Sequence, residues 1–427
     1  MNFKRPRGTA DILPDDQPYW SHVYSTAHKV ANQFGYRRID TPTFEDTNLF
    51  QRGVGDETDI VQKEMYSFED HGGDGITLRP EGTASVCRAY IENGLHNSPQ
   101  PVRMFYMAPM FRYERPQAGR FRQHHQFGCE AIGDQSPKVD AEIIELGWKY
   151  IADLGIKNVT LRLNSLGDPE GRTAYLSDLE NYFRGVADQL PKLDRARLDR
   201  APLRVLDSKA KETQTLADAA PKSVDYINGE AKEHWDELLS LLDNLKEVYP
   251  DFSYKVDHRL VRGLDYYNRT VFEYEPLDAG GQGTLLAGGR YDPLISILGG
   301  QETPAIGFGS GIERMILELK KQEAKIAPSA GPDIVVVTLG DAASAGAKLA
   351  TALRAANVST VLAPSRSMKA QMRYANQQNA SNVVIIGDRE VENGVASVKN
   401  LSESGAQSEV SLDVTSIAEH VRVTGNQ

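Results

Sequence analysis

Cysteine is nearly absent: only Cys87 and Cys129 occur in 427 residues, which excludes a disulfide scaffold and a cysteine-rich zinc site. Long apolar runs are missing too. No stretch approaches the roughly 18–20 residues that a membrane span needs, so no membrane association is expected. The N-terminal MNFKRPRGTADILP carries basic residues with no apolar stretch behind them, unlike a secretory signal, and a cytoplasmic location is the expectation. Several catalytic signatures are lacking as well. There is no P-loop lysine motif, no HExxH and no GxSxG nucleophile elbow, which removes the enzyme classes those motifs mark.

Positive charge is in deficit. The formal net charge is −11 at pH 7, which argues against a protein that coats nucleic acid. The deficit is not uniform, however. The segment from Arg103 to His125 holds Arg103, Arg112, Arg115, Arg120 and Arg122 against a single acid, Glu114. One dense basic segment on an acidic body suits a discrete polyanion site such as a nucleotide pocket. With 40% hydrophobic and 25% charged residues, the chain can bury a sizeable core, and its length points to two to four domains.

Apolar residues recur at helical spacing from Tyr19 to Phe34, ended by Gly35, and Tyr36–Ile39 reads as a short strand before Pro42. Strand patterns follow at Ile76–Leu78, Val102–Met107, Met110–Glu114 and Gln123–Ile132. Arg115–Arg122, with its proline and glycine, reads as a loop between the last two. Val139–Leu154 is helical and Thr160–Asn164 extended. From Pro169 to Pro250 strand signals nearly vanish, and the segment reads as a helical insertion. Strand character returns at Val271–Tyr274, and a helix follows Gly311. The linker Ala327–Pro332 leads into strict strand–helix alternation: strands Ile334–Leu339, Thr360–Ala363 and Val383–Ile386, and helices Ala342–Ala356 and Met368–Asn379. The expected divisions are a catalytic domain in two parts (1–168 and 253–326), an insertion (169–252), a linker (327–332) and a small α/β domain (333–427).

Five segments carry chemistry. In Phe111–Glu130, a hairpin places Arg112 and Glu114 on one strand face, and Gln126, Gly128 and Glu130 on one face of the other. Phe127, Cys129 and Ala131 take the opposite face. The polar face, with a glycine leaving space, fits a small zwitterion, and Arg115, Arg120 and Arg122 can fork to phosphate oxygens; a solvated hairpin with a charged turn is the bland alternative. His124 and His125 point to opposite faces, so they do not form a metal pair. LRPEGT (Leu78–Thr83) sets Arg79 and Glu81 around a proline. Glu81 is either an ammonium ligand or a turn-edge carboxylate.

LVRGLDYYNRTVFEY (Leu260–Tyr274) presents Arg262 and Asp265 in an exposed-looking turn before Tyr266 and Tyr267. In LAGGRYD (Leu286–Asp292) a double glycine either lets a ligand lie flat on backbone or makes a turn. IGFGSGIERMIL (Ile306–Leu317) reads as a glycine-rich turn opening a helix. Its core stripe is Ile312, Met315, Ile316 and Leu319, and Arg314 stands on the other side, where a helix start suits phosphate. Residues alone thus give an α+β enzyme with an anionic ligand, a polar pocket and a separate C-terminal module.

The sequence resembles the class II aminoacyl-tRNA synthetases, and within them the histidine-specific family. FGYRRIDTPTFE (Phe34–Glu45), with Pro42, is similar to the dimer-interface motif of the class. Phe111–Glu130 and Ile306–Leu317 are similar to its second and third motifs. LVRGLDYYN and LAGGRYD resemble the two peptides peculiar to the histidine family, as does RPRGTADILP (Arg5–Pro14) near the N-terminus. The resemblance spans essentially the whole chain and is weakest in the insertion.

The resemblance implies an α+β catalytic domain with a six-stranded antiparallel sheet flanked by helices, a helical insertion, and a C-terminal α/β anticodon-binding domain. It implies a homodimer, L-histidine and tRNA(His) as partners, and ATP with Mg2+, with no residue assigned to the metal. Carried over position by position, histidine contacts fall on Glu81, Thr83, Gln126, Glu130, Arg262, Tyr266 and Tyr267. ATP contacts fall on Arg112, Glu114, Arg120, Phe121 and Arg314. Arg262, Arg112 and Arg314 are the implied catalytic residues.

Two other readings share features. A non-catalytic histidine-binding regulatory subunit of ATP phosphoribosyltransferase has this fold, but lacks the C-terminal domain and has eroded motifs. A class II synthetase for another amino acid is opposed by the stretch from Arg262 to Asn268.

Overall fold

The structure, a computed structural model, describes residues 3–55, 58, 60–114, 119–199, 201–264, 266–278, 283–401 and 407–425. It divides into two compact units, Met1–Ile326 and Ala327–Gln427. The first holds strands β1 (Arg37–Arg38), β2 (Phe44–Asp46), β3 (Tyr66–Glu69), β4 (Gly75–Leu78), β5 (Val102–Phe111), β6 (Gln123–Ile132), β7 (Val159–Ser165), β8 (Tyr254–Val256), β9 (Asn268–Pro276), β10 (Leu286–Arg290) and β11 (Ala305–Gly311). Its main sheet has eight strands in the order β1-β5-β6-β11-β10-β9-β7-β8. The expected six-stranded antiparallel sheet is therefore corrected to an eight-stranded mixed one. The six inner strands pair antiparallel, and the short β1 and β8 add parallel at the two edges. A second sheet, β2-β4-β3, of which the sequence patterns give only β4, stands beside it.

One face of the main sheet is the core. Helix Gln17–Gln33 buries Val23, Ala27, Val30 and Ala31, a three-and-four spacing that makes one apolar stripe. Helix Pro137–Asp153 starts where the Ser136 hydroxyl accepts the Lys138 N–H and proline fills the first turn. It buries Ile143, Ile144 and Ile151 against Phe127, Cys129 and Phe272 of the sheet. Helix Ile312–Lys321 adds Ile312, Met315, Ile316 and Leu319, the stripe expected from its spacing.

Two strand readings change. Val102–Met107 and Met110–Glu114 form one strand, β5, running through Pro109. The Phe111 N–H donates outward to the Arg79 carbonyl at 2.9 Å, and Pro109, two residues earlier, faces the same open edge. A residue without an N–H therefore costs the β5–β6 ladder no bond. Because β5 ends at Phe111, Arg112 and Glu114 lie past the strand rather than on one of its faces. The glycine-rich segment before Ile312 is also a strand, β11, and not a turn.

Between Ser165 and Tyr254 the described residues form helices and turns only, the longest helices being Pro169–Gly185 and Gly229–Val248. Tyr175, Leu179, Phe183, Val205 and Leu206 join one apolar cluster with Leu260, Val261 and Tyr266. That cluster lies on the sheet face opposite the main core, and it positions the segment that carries Arg262.

The second unit has β12 (Ile334–Thr338), β13 (Thr360–Leu362), β14 (Asn382–Ile386), β15 (Val395–Asn400) and β16 (Gln407–Ser411), in the order β13-β12-β14-β15-β16. The first three are parallel, as the alternation of strands and helices predicts. The antiparallel β15 and β16 were not anticipated, since VASVKN and QSEVS are half-exposed and carry too few apolar residues to read as strands.

Candidate active site

A cavity of about 270 Å3 opens on the face of the sheet away from the main core. Of the twelve site residues named from the sequence, eleven line it: Glu81, Thr83, Arg112, Glu114, Arg120, Phe121, Gln126, Arg262, Tyr266, Tyr267 and Arg314. These come from five separate stretches of chain, which only the sheet order brings together. The twelfth, Glu130, is fully buried and does not line the open cavity.

Glu130 sits behind the pocket wall. Thr83 donates its hydroxyl to one carboxylate oxygen at 2.8 Å, and Tyr291 donates to the other at 2.5 Å. Burial pushes its pKa up to about 8, against the lowering effect of those hydrogen bonds. Gly307 lies opposite Glu130 in the β6–β11 register, and a Cβ there would stand 1.8 Å from Glu130 Oε2. That close approach explains a glycine that the sequence reads only as part of a glycine-rich turn.

The space expected over Gly128 is not left for ligand. Tyr106 fills it, its ring so close that a Cβ on Gly128 or on Gly82 would come within 2.3 Å of Tyr106 Cζ. Tyr106 lines the cavity and went unnoticed in the sequence, where it is one more apolar residue of a strand. Only the register Tyr106↔Gly128 gives it a place.

Glu81 is buried, and burial raises its pKa. Its two oxygens accept the N–H groups of Thr83 and Ala84 at 2.9 and 2.7 Å, capping helix Thr83–Glu92. It is thus a cap as well as a cavity carboxylate. Arg79 lies outside the cavity, donating to Pro109 and Thr41 carbonyls at 2.8 Å each.

The arginines gather at the other end. Arg112 is held by the Pro80 carbonyl at 2.7 Å, and Arg120 pairs with Glu114 at 3.2 Å. Arg314 donates to the Thr284 carbonyl at 2.9 Å; burial, then the Arg120 charge, lowers its pKa. Arg122 turns away, its guanidinium 3.7 Å over the Tyr113 ring, so it does not join the cavity arginines. Arg115 and Asp265 lie outside the described residues. His124 faces the cavity, and burial, followed by the Arg112 and Arg314 charges, lowers its pKa to about 3. It is a neutral imidazole there. His125 points the other way, onto Glu313 at 2.9 Å, so the two histidines do not converge.

Arg262 stands between the two ends. Its Nη1 meets Glu273 Oε1 at 2.5 Å and its guanidinium lies 5.3 Å from the Tyr267 ring centre. Burial alone lowers its pKa, but Tyr267 and Glu273 outweigh that and hold it above its ordinary value. The LAGGRYD glycines are in mid-strand, neither a turn nor a ligand floor. The arginine that follows them, Arg290, is fully buried and pairs with Asp140 at 2.7 Å and Asp292 at 3.1 Å. Among the described residues no three His, Cys, Asp or Glu side chains cluster to hold a metal ion, and no helix is long and apolar enough to cross a membrane.

An antiparallel-centred sheet with a long arginine-bearing hairpin, and a glycine-rich strand running into a helix with an arginine in its first turn, define a class II aminoacyl-tRNA synthetase catalytic unit. Comparison with known proteins narrows the class. The family described as histidyl-tRNA synthetase matches residues 8–315, and the family described as anticodon binding domain matches residues 333–418. A histidine–tRNA ligase of Dehalococcoides mccartyi is 48% identical over 96% of this chain and 97% of its own. One from Caldicellulosiruptor saccharolyticus is 43% identical over 99% of each. The apo histidyl-tRNA synthetase of S. aureus superposes with a TM-score of 0.79 at 34% identity, covering 99% of each chain. The chain belongs to the histidyl-tRNA synthetase family.

Proposed function

We propose that this chain is a histidine–tRNA ligase that activates L-histidine with ATP and transfers it to the 3′ end of tRNA(His). The observation that carries the reading is the meeting, in one cavity, of both peptides peculiar to the family with the arginines of the two class motifs. Arg262, Tyr266 and Tyr267 come from the first peptide and line the cavity. Tyr291, from the second, donates to Glu130 behind it. Arg112, Arg120 and Arg314 form the cationic end.

In the first step a histidine carboxylate oxygen attacks the α-phosphorus of ATP, forming histidyl-adenylate and releasing pyrophosphate. Glu81 and Thr83 hold the α-amino end, and Gln126 contacts the amino acid. Glu130 and Tyr267 read the imidazole, with Tyr266 packed beside them. The imidazole offers one donor and one acceptor, so a side chain lacking them leaves buried groups unpaired. Arg112, Glu114, Arg120, Phe121 and Arg314 take ATP. Arg262 lies between the carboxylate and the α-phosphate, where charge peaks in the transition state. The site therefore works by positioning and by fixed positive charge, without a covalent enzyme intermediate.

In the second step a ribose hydroxyl of the terminal adenosine attacks the carbonyl carbon, and AMP leaves. Mg2+ would neutralise ATP phosphate charge, and such an ion needs only one or two carboxylates beside the phosphates. Glu114 is the carboxylate at the cationic end, and it would hold the ion only by giving up Arg120, which lies 3.2 Å from its Oε2.

Residues 1–168 and 253–326 would be the catalytic domain, 169–252 its insertion, 327–332 the linker and 333–427 the anticodon-binding domain, in a cytoplasmic homodimer. The match of an anticodon-binding domain disfavours the regulatory-subunit alternative, which lacks one. Pyrophosphate exchange measured with each of the twenty amino acids tests the reading: exchange with histidine alone supports it, and none, or exchange with another amino acid, overturns it.

A further inference from the structure

We propose that Glu273 is a positioning residue for Arg262, fixing its guanidinium for attack on the α-phosphorus; this rests on the role given to Arg262 above. Arg262 comes from a segment, 257–264, with no strand or helix, so the backbone there does not fix a long side chain. An anchor has to come from elsewhere. Glu273 is in the middle of β9, in register with Ala287 on one side and Arg162 on the other, and is thus set by two ladders.

The carboxylate is committed to Arg262. Its Oε1 lies 2.5 Å from Arg262 Nη1, and its Oε2 accepts the Thr284 hydroxyl at 3.2 Å. The competing cation, Arg162, is 3.9 Å away and is already neutralised by Asp257 and Glu275, each at 2.9 Å. With Nη1 taken and Tyr267 beside the guanidinium, the plane of Arg262 is restrained from two directions. One donor remains. Arg262 Nε is buried with no hydrogen-bond partner, a cost that a substrate oxygen would relieve. Glu273 itself lines the cavity but meets the reaction only through the arginine.

A purely structural ion pair predicts lost stability without a specific kinetic signature, so a double-mutant cycle separates the two. Single-turnover adenylation by the full chain, at saturating histidine and ATP, is the measurement. We expect Glu273→Ala to slow it about a hundredfold, the scale of a misplaced reacting group. KM for histidine and ATP should stay within about threefold, as for a group acting only in the transition state. Glu273→Gln, which keeps the acceptor oxygen, should recover to within about tenfold of the parent. In an Arg262→Ala background, either Glu273 change should cost less than about twofold more.

Equal losses in both backgrounds, an unchanged rate in Glu273→Ala, or a loss confined to KM for ATP would overturn the proposal. If Glu273→Ala does not fold, the cycle is closed with Glu273→Gln, whose loss must vanish in the Arg262→Ala background. A parent chain with no histidine-dependent burst overturns instead the reading of the site on which the pair rests.

Discussion

The Tyr291 hydroxyl donates to the Glu130 carboxylate at 2.5 Å, joining the two residues behind the pocket wall. The carboxylate takes the space that a side chain on the partner strand would need, since Glu130 Oε2 would be 1.8 Å from a Cβ at position 307. Gly307→Ala must therefore displace Glu130. We expect higher KM for histidine with KM for ATP unchanged, measured by pyrophosphate exchange; unchanged KM for histidine would mean that Glu130 does not read the imidazole.

Glu130→Gln tests the same group by charge. The amide keeps an acceptor but cannot ionise, so we expect KM for histidine to rise roughly 10- to 100-fold, the worth of a charge-assisted hydrogen bond, only above about pH 8, where the parent carboxylate ionises, and to change by less at neutral pH. Stability should respond in the opposite sense. Glu130 holds its proton up to about pH 8 when folded, against an ordinary value of 4.5. Between those values the folded state binds more protons than the unfolded one, so stability falls as pH rises through the window. Thermal melts of Glu130→Gln should lose part of that fall, and parallel pH profiles for parent and variant would contradict the assignment.

Arg290 is a stability residue by the same geometric standard. It is fully buried between Asp140 and Asp292, and Asp140 also meets His234 Nε2 at 2.9 Å. Arg290→Met leaves two carboxylates facing one another without their cation, at a cost of about 3–5 kcal/mol. Denaturant unfolding followed through the catalytic unit measures it, and a change below about 1 kcal/mol would fit a surface pair instead.

Much of this was readable in the chain before its fold was known. Helical periodicity gave Gln17–Gln33, Pro137–Asp153 and Ile312–Lys321 nearly whole, because each buries one continuous stripe. Eleven site residues fell in the cavity because the resemblance to the histidine-specific family carried them over position by position onto its motifs. Tyr106, Glu273 and Tyr291 did not stand out, since each alternates in or beside a strand like any core residue. Their roles come from register, which pairs residues distant in sequence. Pro109 misled for the opposite reason: a proline ends most strands, but not where its missing N–H faces an open edge.

The second compact unit starts at Ala327, after every residue of the cavity. A chain ending near Ser329 should fold and exchange pyrophosphate with histidine, yet charge tRNA poorly. The loss should lie in kcat/KM for tRNA, because an anticodon loop is read at its unstacked bases, far from the 3′ end. Its mass in solution is checked first, since loss of a dimer would confuse the comparison. Charging by the dimeric shortened chain as efficient as that of the full chain would contradict the anticodon-binding role.

The central claim concerns the complete reaction. Incubating the full chain with radiolabelled histidine, ATP, Mg2+ and a tRNA(His) transcript, beside a transcript for another amino acid, measures it directly. We expect acid-precipitable histidine on tRNA(His) alone, with Arg262→Ala slowing the adenylation that precedes it about a hundredfold to a thousandfold. No label on tRNA(His), or charging by Arg262→Ala at the parent rate, would contradict the account.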